Sequence, residues 1–349
     1  MQHNNQDINN DTRRRMTPKP ISSPVSVDID LNARGKQIGH IRVPHSTHES
    51  AYGWIAIPIA VVKGDAGPDV LLTAGNHGDE YEGQIALLKL MRSLTPEQVH
   101  GRVIIVPRLN LPAAAAGRRT SPLDDGNLNR LFPGDPQGSV TSQIAHFVDS
   151  VLLPMTQVSL DIHSGGLSLE YLPCAFARVP ADRVELGRQE AALQAFGAPI
   201  TIMVDRPQSN RTLSAAALAH GHLHLSTEIG GGASTRPHTQ AIADQGVMRL
   251  LAHMGVIDAA PPPTHPTRLM RVTGPEHFVY ATVRGLFEPT FTLGDMVEKN
   301  GLAGRIHFPE EPGRLPHEVH FSDGGVVVCR RVPSLVVPGD CLVHLAIDC

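Results

Sequence analysis

A repeated alternation constrains this chain most: apolar runs of strand length, each followed by a segment with the period of a helix. Val70-Leu-Leu-Thr-Ala, Val103-Ile-Ile-Val, Val158-Ser-Leu-Asp-Ile and Leu223 to Thr227 read as strands, the first two apolar enough to be buried on both faces. Helical spacing follows at Glu82 to Leu94 (Ile85, Leu87, Leu88, Leu90, Met91, Leu94), at 141–152, Arg183 to Phe196, Ser214 to His220 and Ala241 to Met254. Strands alternating with helices predict an α/β layer architecture, a mostly parallel or mixed sheet flanked by helices, with ligands bound beyond the carboxyl ends of strands. Before this pattern, Val25 to Asp30, Ile38 to Val43 and Trp54 to Val62 read as further β-runs, and Gly64 to Asp69 reads as a turn-rich break.

The chain of 349 residues is long enough for a second unit. Ala259-Ala-Pro-Pro-Pro-Thr-His-Pro breaks the alternation, and 270–349 reads as short strands separated by turns such as Leu293-Gly-Asp and Pro338-Gly-Asp, with no helical period. The expected division is therefore an N-terminal arm over 1–25, a catalytic domain over 26–260, a linker over 261–269 and a small all-β domain over 270–349. The arm is polar and then Ser/Pro-rich, with no apolar core of a secretory signal, and reads as disordered or loosely docked.

Net charge of −4, with no basic patch beyond Arg13-Arg14-Arg15 in the arm, argues against a nucleic-acid partner or a polybasic membrane surface. No apolar stretch approaches the roughly 20 residues of a bilayer span. Four cysteines without a Cys-x-x-Cys pair exclude a disulfide scaffold and fit a reducing cytoplasm.

Unusual residues stand at three strand ends. Gly75-Asn-His-Gly-Asp-Glu follows the first strand and opens the first helix, so His77 and Glu80, three apart, turn toward one point. Leu160-Asp-Ile-His-Ser-Gly-Gly ends the third strand at His163. His77, Glu80 and His163 make a His/Glu/His set, a ligand set for Zn²⁺ that leaves a position open for water. Asp161, two residues earlier on the same strand face, is placed to accept the other ring N–H of a ligand histidine. Ser226-Thr-Glu-Ile-Gly-Gly-Gly puts Glu228 past the next strand, as a carboxylate for acid–base work beside such a water. Between the first two lies Arg118-Arg-Thr-Ser-Pro-Leu-Asp-Asp-Gly-Asn-Leu-Asn-Arg-Leu-Phe-Pro-Gly, whose arginines suit a carboxylate or an oxyanion. His220-x-His222-x-His224 alternates on one strand, a spacing that rarely brings three imidazoles onto one tetrahedral ion. Arg206, Arg211 and His238 are further candidates for shaping a pocket.

The order strand–HGDE–helix, Arg/Asn loop, strand–DIHSGG, strand–TEIGGG resembles the succinylglutamate desuccinylase/aspartoacylase family, a branch of the carboxypeptidase A-like zinc hydrolases, over about residues 65–255. The resemblance implies a carboxypeptidase-like mixed sheet and one zinc on His77, Glu80 and His163. It implies Glu228 as acid/base, Asn129 and Arg130 on the substrate carboxylate, and an arginine that polarises the scissile carbonyl: Arg119, with Arg118 as the rival. Within the family, Gly75-Asn-His-Gly-Asp-Glu-Tyr-Glu-Gly, Arg119-Thr-Ser-Pro, Asp161-Ile-His-Ser-Gly-Gly and Gly285-Leu-Phe-Glu-Pro are most similar to the N-acetyl-diaminobutyrate deacetylases of ectoine breakdown. Such a substrate carries an ammonium, so an anion is expected in the pocket; Glu170, Glu82, Asp79 and Glu288 are candidates, Glu170 first.

The β tail from Ala281 to Ile306 resembles half of a biotinyl/lipoyl-like barrel-sandwich without its modified lysine hairpin, so its expected role is to wall the cleft or to pair subunits. The expected partner is thus a small acyl amino acid, in a homo-oligomer taken as a dimer. Three other readings stay open: a peptidase of the same superfamily, activity on a different acyl amino acid (desuccinylase or aspartoacylase), and a zinc-binding scaffold or sensor without catalysis.

Overall fold

The computed structural model describes residues 23–180, 182–205, 209–263 and 265–349. The expected N-terminal arm, apart from its last three residues, and Arg206 lie outside them.

The expected alternation builds one long mixed sheet. From its first edge the strands run Ser26–Val27, Gly35–Pro44, Trp54–Lys63, His100–Val106, Asp65–Ala74, Val158–Ile162, Leu223–Glu228, Cys174–Arg178, Ile200–Val204, Arg268–Val272, Cys341–Asp348, Gly325–Arg331 and Met296–Val297. Asp65–Ala74 pairs in parallel with both His100–Val106 and Val158–Ile162, and Leu223–Glu228 continues the parallel run. Cys174–Arg178 then joins antiparallel to Leu223–Glu228, the switch that makes the sheet mixed. The expected turn-rich break is instead the start of the strand Asp65–Ala74, with a register irregularity between Asp65 and Asp69.

Both faces are covered, as the apolar runs require. Successive residues of one strand point to opposite faces, so Leu71 and Ile104 enter one core with Ile144, Phe147 and Leu213, while Leu72 and Ile105 enter another with Leu87, Leu193 and Leu250. The helix Tyr81–Ser93 comes so close to the sheet that a Cβ on Gly83 would lie 2.7 Å from Ile162 Cβ, and only glycine fits there.

The C-terminal part is β-rich, with a single 3₁₀ turn at Pro275–His277 among its described residues. Gly285–Pro289, Leu302–His307, His317–His320 and Leu335–Val336 form a separate antiparallel sheet. Phe287, Phe291, Ile306, Val319 and Leu342 make a core of their own. The long sheet nevertheless runs through the expected boundary. Arg268–Val272 begins inside the expected linker, pairs in parallel with Ile200–Val204 and antiparallel with Cys341–Asp348, and Leu169–Tyr171 pairs with Gly325–Arg331. No helix among the described residues is long and apolar enough to cross a membrane.

Candidate active site

His77, Glu80 and His163 come together at the carboxyl ends of Asp65–Ala74 and Val158–Ile162. Gly75, at φ +69, turns the chain out of its strand, and Glu80 is the residue immediately before the helix Tyr81–Ser93. The Glu80 carboxylate bridges two imidazoles: Oε1 lies 2.7 Å from His77 Nδ1 and Oε2 lies 2.7 Å from His163 Nδ1. All three side chains are buried, and one donor atom from each lies within 4.8 Å of the others.

Each histidine turns its far nitrogen to a fixed acceptor. His163 Nε2 donates to Asp161 Oδ2 at 2.7 Å, and His77 Nε2 donates to Asn127 Oδ1 at 3.2 Å. Both Nδ1 atoms thereby face Glu80, and with an ion in that gap each would present its lone pair to it, the tautomer a metal ligand needs. Asp161 is itself held by the Thr73 hydroxyl at 2.7 Å and by Asn76 Nδ2 at 3.0 Å. Two neutral imidazole nitrogens and a carboxylate, buried and convergent, fit a divalent zinc-like ion with coordination to spare. Without an ion, burial works against ionisation of Glu80, but the two imidazoles hold its carboxyl well below the usual range. Burial also works against the His163 imidazolium, yet Asp161 and Glu80 raise its pKa well above the ordinary value.

A cavity of about 460 Å³ opens from this cluster, and its floor is one face of the sheet. Strand register sets the rows. Asp161, Ser226, Phe176 and Ile202 stand side by side, Glu228 stands beside Cys174, and Arg178 stands beside Val204 and Val272. These residues all line the cavity, as do Arg119, Asn129 and Arg130 from the loop between the first two motifs. Glu228 ends its strand half-buried, with Oε2 out of solvent and unpartnered among the described residues. Burial, reinforced by the nearby Glu80 carboxylate, pushes its pKa well above the usual range. Arg119 Nη1 lies 3.6 Å from Glu80 Oε1 and 3.3 Å from His77 Nδ1. Asn129 is fixed by Leu213 N at 3.0 Å from its Oδ1.

Other expected residues do not reach the cavity wall. Glu170 directs one oxygen to Arg236 and the other to Arg330, so its charge is already matched. Glu288 stands exposed on the separate sheet, 2.8 Å from His307. Arg118 is exposed beside Arg119. Asp79 accepts from Leu167 N at 2.7 Å, and Glu82 accepts from the Thr239 hydroxyl at 3.2 Å. Arg211 and His238 are exposed and off the wall. His222 and His224 are buried against Ser159, and His220 pairs with Asp149, so the alternating histidines carry no metal cluster.

Among the wall residues that escaped the sequence reading are Arg178, whose Nη2 donates to Ser209 O at 2.7 Å, and the aromatic wall of Tyr171, Phe278 and His344. Cys174-Ala-Phe-Ala-Arg alternates large and small side chains, which is the one signal that marks Arg178 as facing with Phe176. Phe278 and His344, stacked with ring centroids 4.1 Å apart, come from the C-terminal part, which therefore walls the cleft.

A family model described as the succinylglutamate desuccinylase/aspartoacylase catalytic domain matches residues 66–254. The chain belongs to this family of acyl amino acid hydrolases. It is 42% identical over 325 residues to the N-alpha-acetyl-L-2,4-diaminobutyric acid deacetylase of Halomonas elongata, covering 93% of this chain and 95% of that protein. Among solved structures it is similar to the product-bound ectoine utilization protein EutE (DoeB) from Ruegeria pomeroyi, at 38% identity and a TM-score of 0.91 over 94% of this chain and 100% of that one. A succinylglutamate desuccinylase/aspartoacylase from Rhodobacter sphaeroides matches at 40% identity and a TM-score of 0.90, over 94% and 99%.

Proposed function

We propose that the chain is a zinc-dependent deacetylase that hydrolyses N-alpha-acetyl-L-2,4-diaminobutyrate to acetate and L-2,4-diaminobutyrate. The observation that carries the chemistry is Glu228, half-buried with one carboxylate oxygen out of solvent and unpartnered among the described residues, on the same cavity as a convergent His/Glu/His set. The likeness to the Halomonas elongata deacetylase and to EutE supports the substrate.

In this reading His77, Glu80 and His163 would hold the zinc. When bound, the ion supplies Lewis acidity that acidifies water and polarises the acyl carbonyl. Glu228 takes one proton from the attacking water and delivers it to the amine nitrogen. A C–O bond forms as the C–N bond breaks, and the second proton of the water passes to the departing amine, leaving acetate and the ammonium product. Arg119 donates to the carbonyl oxygen as it gains negative charge. Asn129 and Arg130 hold the α-carboxylate and fix the approach of the amide. The division at 261–269 belongs to the same proposal, with the C-terminal part contributing Val272, Phe278 and His344 to the wall. A cytoplasmic homodimer completes the reading, and light scattering on the eluted protein checks the dimer.

One observation favours a second reading. Arg119, Arg130 and Arg178 all face the cavity, while its carboxylates, Glu228 and Asp161, are already given to catalysis and to His163. Such a wall suits a second substrate carboxylate better than an ammonium, as acetylaspartate or succinylglutamate would offer. Acetate or succinate release measured on these three substrates, with and without chelator, decides. The proposal expects acetyl-diaminobutyrate to be preferred, with activity lost to chelator and restored by zinc. Preference for a dicarboxylate overturns it in favour of the second reading.

A further inference from the structure

We infer that Glu170 is a positioning residue whose two oxygens clamp the Glu228 loop on one side and the far cavity wall on the other. The inference rests on Glu228 being the acid/base. Glu170 is only 6% exposed, and its surroundings explain how a carboxylate is kept there. Oε1 receives Arg236 Nη1, and Oε2 receives Nε of Arg330 at 2.9 Å together with its Nη2. The two arginines stand on different segments, so one carboxylate joins three stretches of chain.

The first arm runs toward catalysis. Arg236 immediately precedes the helix Pro237–His253 and closes the loop that begins just after Glu228. That loop lies against the segment between His163 and Tyr171 through five backbone hydrogen bonds. Ile229 N donates to His163 O, Gly165 N and Tyr171 N to Gly230 O, Gly232 N to Leu169 O, and Ala233 N to Gly166 O, at 2.8–3.1 Å. The backbone bonds end at Ala233, three residues short of the helix. Thr239 holds the Arg236 backbone from the helix side, and the Arg236–Glu170 pair ties that corner, and with it the loop that leaves Glu228, back to Leu169–Tyr171.

The second arm runs toward the wall. Glu170 and Arg330 are register partners between Leu169–Tyr171 and Gly325–Arg331. Because side chains that share a register position face the same way, the pair, with two Arg330 nitrogens on one Glu170 oxygen, locks this pairing against slippage. Gly325–Arg331 in turn pairs with Cys341–Asp348, where His344 stands opposite Cys329 and Phe278. The clamp thereby sets how far Phe278 and His344 stand from the sheet floor.

The two arms separate kinetically. Arg236→Gln should lower kcat with KM unchanged, since the acid/base is displaced while the wall stays. Arg330→Gln should raise KM with kcat kept. Each effect is expected at about tenfold, given that small misplacements of reacting groups cost up to about a hundredfold. Glu170→Gln should show both. Hydrogen exchange gives a readout independent of turnover: amides of 229–233 should exchange faster in Arg236→Gln but not in Arg330→Gln, and amides of 325–331 the reverse. Lowered melting temperatures with kcat, KM and loop exchange unchanged in all three variants would show a merely structural clamp and overturn the inference. A Glu170→Gln loss in KM that disappears with N-acetyl-2-aminobutyrate, which lacks the side-chain ammonium, would also overturn it by making Glu170 a substrate contact. If wild type prefers another acyl amino acid, the proposed substrate fails, and the clamp is then read with the preferred one.

Discussion

Asp161→Asn tests the geometry around the cluster most directly. The carboxylate accepts three hydrogen bonds: His163 Nε2 at 2.7 Å and Asn76 Nδ2 at 3.0 Å on Oδ2, and the Thr73 hydroxyl at 2.7 Å on Oδ1. An asparagine of the same shape satisfies most of this. Its amide oxygen takes the Oδ2 position and keeps both nitrogen donors, and its NH₂ faces the Thr73 oxygen, whose proton turns toward Leu160 O. The hydrogen bond from His163 Nε2 therefore survives, and Nδ1 would still be the nitrogen turned to an ion, but the negative charge that would make the imidazole a stronger ligand is gone. Partners of this kind are worth about 10- to 100-fold in metal affinity, or about 1.4–2.8 kcal/mol at 1.4 kcal/mol per tenfold. Competition for zinc against a chromophoric chelator should show that loss in Asp161→Asn, with kcat at saturating zinc close to wild type. Asp161→Ala should lose more affinity, because it strands the His163, Asn76 and Thr73 donors in a buried site. An Asp161→Asn protein that binds zinc as tightly as wild type would refute the argument that the Asp161 charge tunes His163.

Glu228→Gln should lower kcat by about 10²- to 10⁴-fold with zinc content unchanged by atomic absorption, the range expected for loss of a general acid/base. Arg119→Ala should cost about 10²- to 10³-fold in kcat, as removal of an oxyanion donor does, while Arg118→Ala, off the cavity wall, should leave the rate near wild type. Gly83→Ala should destabilise by about 1–3 kcal/mol in urea unfolding despite the better helix propensity of alanine, since its Cβ meets Ile162 at 2.7 Å. Glu170 has its pKa lowered: burial raises it, but Arg236 and Arg330 outweigh burial. Its pairing thus contributes stability above the unfolded carboxyl value of about 4.3. That contribution is lost as pH falls through the lower folded value, so wild type and Glu170→Gln should converge in melting temperature toward acid pH.

The legible part of this fold is the part written in local pattern. Val70 to Ala74 and Val103 to Val106 are apolar on both faces, and the helix Arg183–Phe196 has the bounds its period suggested. Cys174–Arg178 and Ile200–Val204 went unread, because short strands that follow Pro173 and Pro199 carry little local signal and owe their place to neighbours far off in the chain. The same holds at the site. His77, Glu80, His163 and Glu228 each stand at a strand end beside glycines, a mark visible in one dimension. Arg178 faces the cavity only because its strand is inserted next to Leu223–Glu228, and Phe278 and His344 only because a strand some 160 residues downstream pairs with Leu169–Tyr171. Charge misled for the opposite reason. Glu170, seven residues past His163, is near the site in sequence, but the arginines that neutralise it come from positions 236 and 330.

Glu80 shows why a site can be read where local rules fail. It occupies the N-cap of Tyr81–Ser93 in extended conformation, where a Ser, Thr or Asp would bond to the first turn, yet it makes no side-chain cap. A missing cap costs about 1 kcal/mol. The carboxylate instead reaches sideways to His77 and His163. Gly83 repeats the trade one turn on, giving up helix propensity so that the helix can sit against Ile162, the residue before His163. Two departures from good helix design within four residues would be hard to explain by stability. Both draw the amino end of one helix down onto the carboxyl ends of two strands, and that closeness is what lets a single glutamate touch two histidines 86 positions apart in the chain.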